Sequence, residues 1–291
     1  MCHKIAQMRN ILIALALSMT ASAALAQVAE GDQHYAARAE GHVGGRAKPA
    51  HIDAAIAAYQ RAVAANPKDL EAHWKLLRAY RFKGAYVAAS NDEKKSVYGA
   101  AKKAGEAALA LLDNSLKAKG VTSVAKATEK QVADAARTIP GAAETFLWDS
   151  INWGEWALAY GKMAAAREGA ADRIRRGATI AMLADPKLEG GAPSRVLGRL
   201  HDQTPRIPFI TGWASEKEAV RFLNESLKID PTNKITKVFL AEAMVSNDSD
   251  TKPQAVQMLK ECLTAPNPPE YEVEQAAATE DARALLKKWG A

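Results

Sequence analysis

One short helix ending is written three times along this chain, and it limits the possible folds more than any other feature. It occurs as Ala55-x3-Tyr59-x2-Ala62-x4-Pro67, Ile174-x3-Ala178-x2-Ala181-x4-Pro186 and Ala219-x3-Leu223-x2-Ser226-x4-Pro231, and each proline follows Asn66, Asp185 or Asp230. Small residues at that spacing let two helices touch, a larger apolar residue fills the gap between them, and the proline stops the helix. This is the signature of a 34-residue helix–turn–helix repeat. Such repeats stack into arrays that bind on concave surfaces, which makes a binding or adaptor protein the first expectation and an enzyme the second.

The rest of the chain agrees with an all-α fold. Alanine-rich apolar periodicity of three and four residues runs almost throughout, with no period-2 strand segment. Helices are expected over Asp32–Glu40, 52–65, 70–82 capped by Asp69 and ended by Gly84, 91–112, 124–137, 142–165, 172–183 and 194–201. Ser215 and Glu218 form an expected capping box for a helix ending at Asp230-Pro231. Asn233 caps the next, Thr251-x-x-Gln254 opens another, and Tyr271 to Trp289 closes the chain. Helix pairs at 52–82, 174–201, 219–245 and 235–263 are the expected units of the array. A segment at about 113–140 interrupts them, and Gly190-Gly191-Ala192-Pro193 is the sharpest turn signal.

The N-terminus has the features of an export signal: Lys4 and Arg9, an apolar run from Ile11 to Leu17, then Ala24-Leu25-Ala26. Cleavage is expected after Ala26, with Met8 as an alternative start. The run is too short to span a bilayer. This predicts a periplasmic protein whose single tetratricopeptide-like domain covers 27–291. No cysteine sits at the cleavage site, so no lipid anchor is expected there. Cys2 leaves with the signal and Cys262 remains alone, placed as a small core residue. The net charge of +6 comes from basic residues interleaved with acidic ones, which does not make a nucleic-acid footprint.

Catalytic signatures are scarce. There is no HExxH, GxSxG, Walker or CxxC motif, and the histidines show no metal-ligand spacing, so neither a cofactor nor a metal is expected. Two groups stand out instead. Trp148, Trp153 and Trp156 lie among polar neighbours and suit either inter-helix packing or the aromatic wall of a ligand cleft. Arg78, Arg195 and Arg199 suit either surface salt bridges or bidentate recognition of a carboxylate, and Arg78 lies one helical turn after Trp74.

In their order, AHWKLLRAYRFKG (72–84), FLWDSINWGEWA (146–157) and GGAPSRVLGRLH (190–201), flanked by the repeats AIAAYQRAVAANP (55–67) and EAVRFLNESLKIDP (218–231), resemble the T-component family of TRAP transporter systems, which are periplasmic tetratricopeptide-containing proteins. KKSVYGAAKKAGEAALAL (94–111) falls between the first two in the same order. The resemblance implies helix pairs with inserted helices forming a cleft, assembly as a homotrimer, and partnership with a periplasmic solute-binding protein. It also implies a small carboxylate or apolar ligand. Trp74, Arg78, Trp148, Trp153, Gly191, Pro193 and Arg195 occupy the matching segments and are the implied ligand positions, to which Arg199 is added on its chemistry. The chain departs from the family in lacking a lipidation cysteine and over 113–140. Two other functions compete with a solute-uptake accessory. One is a general exported adaptor for envelope proteins or peptides. The other is a hydrolase using a carboxylate pair such as Glu144 and Asp149.

Overall fold

The computed structural model describes residues 24–208 and 210–291. Most of the expected signal, residues 1–23, lies outside them. The fold is an all-α tetratricopeptide-like array. Helix α1 covers 24–36, followed by α2 (Pro49–Ala65), α3 (Leu70–Tyr86), α4 (Asn91–Ala118), α5 (Glu129–Ala136) and α6 (Ala142–Tyr160). Then come α7 (Lys162–Arg167), α8 (Ala170–Ala184), α9 (Leu188–Gln203), α10 (Glu216–Ile229), α11 (Lys234–Asn247), α12 (Lys252–Thr264) and α13 (Glu272–Trp289). No described helix is long and apolar enough to cross a membrane.

The three repeated endings do what their spacing predicts. All nine of their small and apolar residues are buried. The residue before each proline explains itself in the structure. Asn66, Asp185 and Asp230 are the C-caps of α2, α8 and α10. Each then accepts, through its side-chain Oδ1, the amide of the residue two places on: Lys68 at 3.3 Å, Lys187 at 2.9 Å and Thr232 at 3.1 Å. The carboxyl or amide oxygen thus builds the turn that the proline starts.

Successive helices pack as neighbours through α2, α3, α4, α6, α8, α9, α10, α11, α12 and α13, with α5 lying on α8. The interrupting segment is part of the core: Leu112, Leu116, Val121, Val132 and Ala136 pack with Leu147 and Ile180. Its helix is shorter than expected because Thr128 and Gln131 make a reciprocal capping box. The loop carbonyls of Val124 and Ala127 are satisfied by Arg176.

Four local expectations fail for identifiable reasons. Gly84 does not end α3. It lies inside the helix, where any side chain would collide with the Tyr98 ring of α4. The helix expected over 142–165 breaks at Gly161, whose φ of 91° is left-handed. The Ser215 box is half-made: Ser215 Oγ accepts the Glu218 amide at 3.4 Å, but Arg221 takes the Glu218 carboxylate. Thr251 makes no side-chain cap; a short 3-10 turn precedes α12.

The last helix does not end the stack in open solvent. It returns to α3 and to the segment after α1. Arg38 pairs with Glu274 at 2.9 Å and donates to the carbonyl of Glu270. The Gly45 amide donates to Glu280 at 2.8 Å, and a Cβ at Gly45 would lie 2.5 Å from the Ala277 Cα. Only glycine allows that approach. The array therefore closes on itself around a cavity that stays open to solvent.

A buried acid lies on the outer side of this frame. Asp149 of α6 is buried against Gly105 of α4. Burial raises its pKa to about 7; Arg173 opposes the rise and Glu106 adds to it. Unfolded aspartate ionises near 4, so this group removes stability as pH climbs from about 4 to 7, and the deficit is complete above that. Asp149→Asn is expected to stabilise the protein by roughly 2–4 kcal/mol at pH 8 and by little at pH 4. Urea melts at both pH values measure this, and an equal gain at both would refute it.

Candidate functional site

The cavity has a volume of about 1500 Å³ and is open to solvent; most small-ligand pockets hold roughly 300–1,000 Å³. Its wall is built by α1 and the turn after it, α3, α6, α9, α11 and α13, with α7, the start of α8 and the loop 204–211 at one end. Among the described residues no group of three or more His, Cys, Asp and Glu side chains is placed to hold a metal ion.

Arg78 projects from α3 into this space. Its guanidinium lies over the Tyr35 ring at 3.9 Å and near the Trp74 ring at 5.0 Å. Stacking engages the flat faces of the cation and leaves its N–H edges free. Nε is buried and has no hydrogen-bond partner. On α6 the indole Nε1 of Trp148 is also buried without a partner. Asn152 holds the two helices in register at this level, donating to the carbonyls of Leu77 at 3.0 Å and Trp148 at 2.8 Å. Buried donors left unpaired are costly and rare. Arg78 and Trp148 are the two residues with such atoms, among those described, that line the cavity.

Arg195 faces the same space from α9. It is half-buried and hydrogen-bonds the Thr236 hydroxyl at 3.3 Å. Burial, then the like charge of Arg81, pull its guanidinium down to about 10 against Glu189 and Asp230. It remains a cation at neutral pH, with no carboxylate within ion-pair distance among the described residues. Arg81 is held by the Tyr86 hydroxyl at 2.6 Å and by Glu155 at 3.6 Å.

The expected positions divide. Trp74, Arg78, Trp148, Arg195 and Arg199 line the cavity. Arg199 is already neutralised by Glu242 at 2.7 Å and Asp202 at 3.0 Å, with Phe239 beneath it, so it is a structural ion pair. Trp153 is not a cleft wall. It is 1% exposed, packs edge-on against Trp156, and is held between the cations of Lys102 and Arg173. Gly191 and Pro193 are buried in the framework away from the cavity surface. Gly191 has φ 78° and lies so close to Ser226 and Ile229 that a side chain would force α10 outward. Pro193 stands in the first turn after this reversal. Asp149 and Glu144 do not line the cavity, so they do not form a site there.

Several residues of the site carried no signal in the sequence. Tyr35 lies in the last turn of α1 and Arg38 follows it, while Tyr271 and Glu274 lie more than 230 positions later, so only chain closure unites them. Glu189 is the one described non-glycine residue with positive φ, at 48°. It accepts the Tyr271 hydroxyl at 3.0 Å. A left-handed non-glycine residue costs on the order of 1 kcal/mol and often marks a functional wall. The Glu-Gly-Gly run could have suggested the reversal but not its partner.

No family model matches the chain, and no curated protein matches it. Among solved structures, the chain is similar to a yeast protein described as the TPR2AB-domain:pHSP90 complex of Sti1. That likeness has 14% identity, covers 93% of this chain and 99% of the other, and has a TM-score of 0.32, too loose to carry an argument.

Proposed function

We propose that this protein is a non-enzymatic, periplasmic accessory of TRAP-type solute uptake, which holds a small organic anion in its central cavity and works with a solute-binding protein. The ligand half rests on one observation: Arg78, its guanidinium stacked over Tyr35, and Arg195 line one cavity, and neither is paired with a carboxylate among the described residues. A carboxylate in this cavity meets two cations that no described carboxylate neutralises, with the Trp74 and Trp148 side chains beside it. The transporter half, including export and a homotrimer, rests on the ordered segments 72–84, 146–157 and 190–201 and on the N-terminal leader pattern.

A general peptide adaptor is the weaker reading. Repeat arrays take extended peptides along an open concave face, and here α13 closes that face through Arg38 and Glu280.

Arg78→Met should weaken binding of a carboxylate ligand at least tenfold, with a thermal midpoint within a few degrees of the parent protein. Titration calorimetry with organic acids, beside a melting curve, measures both. Unchanged affinity would remove the anchor. For the transporter half, sedimentation of the chain with the solute-binding protein encoded beside it should show a complex, and a native mass spectrum should show three subunits. Separate sedimentation would leave an anion-binding protein without the uptake role.

A further inference from the structure

The cavity is much larger than a small carboxylate needs, and its apolar features are arranged along one line. On α6, Trp148, Ile151, Gly154 and Leu158 all face it. From Trp148 to Leu158 is ten residues, or about 15 Å along the helix axis. At the far end Leu158 and Met163 are each 72% exposed, Ile210 65% and Ile207 45%, and all four line this same cavity. Large apolar side chains left open to water in one cluster mark a surface that something apolar covers.

Gly154 is the second, independent sign. A glycine inside a helix costs about 1 kcal/mol against alanine. The buried glycines Gly84, Gly105 and Gly198 are explained by a neighbour that fills their side-chain position, Tyr98, Asp149 and Leu223 respectively, whereas Gly154 is half-buried. At Gly154 nothing lies within 4 Å of that position. The space is open, and it lies midway between the arginine end and the exposed apolar end.

We propose that the anion held by Arg78, beside the Trp148 side chain, is the head of a long-chain amphiphile whose alkyl tail runs along α6, through the space over Gly154, to the mouth formed by Leu158, Met163, Ile207 and Ile210. This rests on the anion-binding reading above. The 15 Å path accommodates a chain of about 12 carbons, at roughly 1.25 Å of advance per methylene for bonds of about 1.5 Å. Glu155, the one carboxylate on this stripe, faces Arg81 at 3.6 Å, and Lys162 stands exposed at the mouth beside Met163. Binding consists of the carboxylate meeting the Arg78 edge and the methylenes leaving water.

The test is calorimetric titration of the full chain with hexanoate, decanoate, dodecanoate and hexadecanoate below their micelle thresholds, using the parent protein, Gly154→Phe and Arg78→Met. Affinity is expected to rise about two- to fourfold per methylene up to about 12 carbons and then level off. Gly154→Phe should weaken dodecanoate at least tenfold and change hexanoate less than twofold. Arg78→Met should weaken every acid. Melting curves confirm folding, and replacing an unsupported helix glycine should not lower them. Affinity independent of chain length, with Arg78→Met still damaging, overturns the tail and keeps the anion site. Equal loss of hexanoate and dodecanoate in Gly154→Phe also overturns the tail path. Absence of binding by any of the acids, or binding insensitive to Arg78→Met, overturns both readings.

Discussion

Trp153→Ala is expected to cost about 3–5 kcal/mol of stability, the usual price of emptying a buried aromatic site, and to leave the ligand affinity of the remaining folded protein unchanged. Trp148→Ala should do the reverse. Both tryptophans sit on α6, five residues apart, in one motif, yet they serve opposite sides of the helix. Trp153 is 1% exposed and packs in a cluster with Tyr98, Trp156, Ala170 and Ile174, joining α4, α6 and α8. Its removal leaves a void among helices that hold the middle of the array. Trp148 is half-buried and lines the cavity, so its loss removes a wall from the ligand and little from the core. Urea unfolding and ligand titration on both variants separate the roles. If Trp153→Ala kept full stability and lost binding, the assignment of α6 faces would be reversed.

Arg38→Met should destabilise the protein by about 3–5 kcal/mol, because it leaves the Glu274 carboxylate buried without its cation. The Glu274 side chain is only 10% exposed. Arg38 also donates to the carbonyls of Tyr35, at 3.1 Å, and Glu270, and lies over the Tyr35 and Phe82 rings at 4.4 and 5.3 Å. The methionine retains much of the apolar stem, so the loss is electrostatic. Combining it with Glu274→Met should recover part of the stability, since removing a whole buried pair costs far less than orphaning one member. Hydrogen exchange places the effect: amides of α13 should lose protection before those of α2 or α10. A single variant within 1 kcal/mol of the parent would mean that α13 is held by its apolar contacts alone.

Features set by local chemistry were legible in the sequence. The three helix endings, the Asp69 and Asn233 caps and the Gly190-Gly191 reversal depend on residues within a few positions of one another. Arg78, Trp148 and Arg195 were legible as candidates because each belongs to a local pattern: an arginine one turn after Trp74, a tryptophan cluster, and an arginine pair with Arg199 at i,i+4. What could not be read is which face of α6 looks inward, and that is why Trp153 fitted a wall as well as a core. Helical period alone does not distinguish a face covered by two neighbouring helices from one facing a cavity. Gly84 misled for the same reason: a helix breaker by propensity, it is kept inside α3 by a tyrosine from another helix. The Tyr35–Arg38–Glu274 group was invisible because no local signal announces that the last helix returns to the first.

That return has a consequence for the order of events in the life of each molecule. The pair joining the two ends of the circuit spans 236 positions, and contacts of such separation carry a large loop-closure entropy and form slowly. Helix pairs such as α2–α3 and α10–α11 need only their own neighbourhoods to form. During synthesis or refolding the arginine wall is therefore built early, and it gains its last wall only when the eighteen-residue helix α13 docks. A molecule captured before that moment is free to leave past the missing helix, whereas one captured after it leaves through the mouth at Leu158 and Met163. The face of α13 around Glu274 and Ala278 thus sets how long an occupant stays.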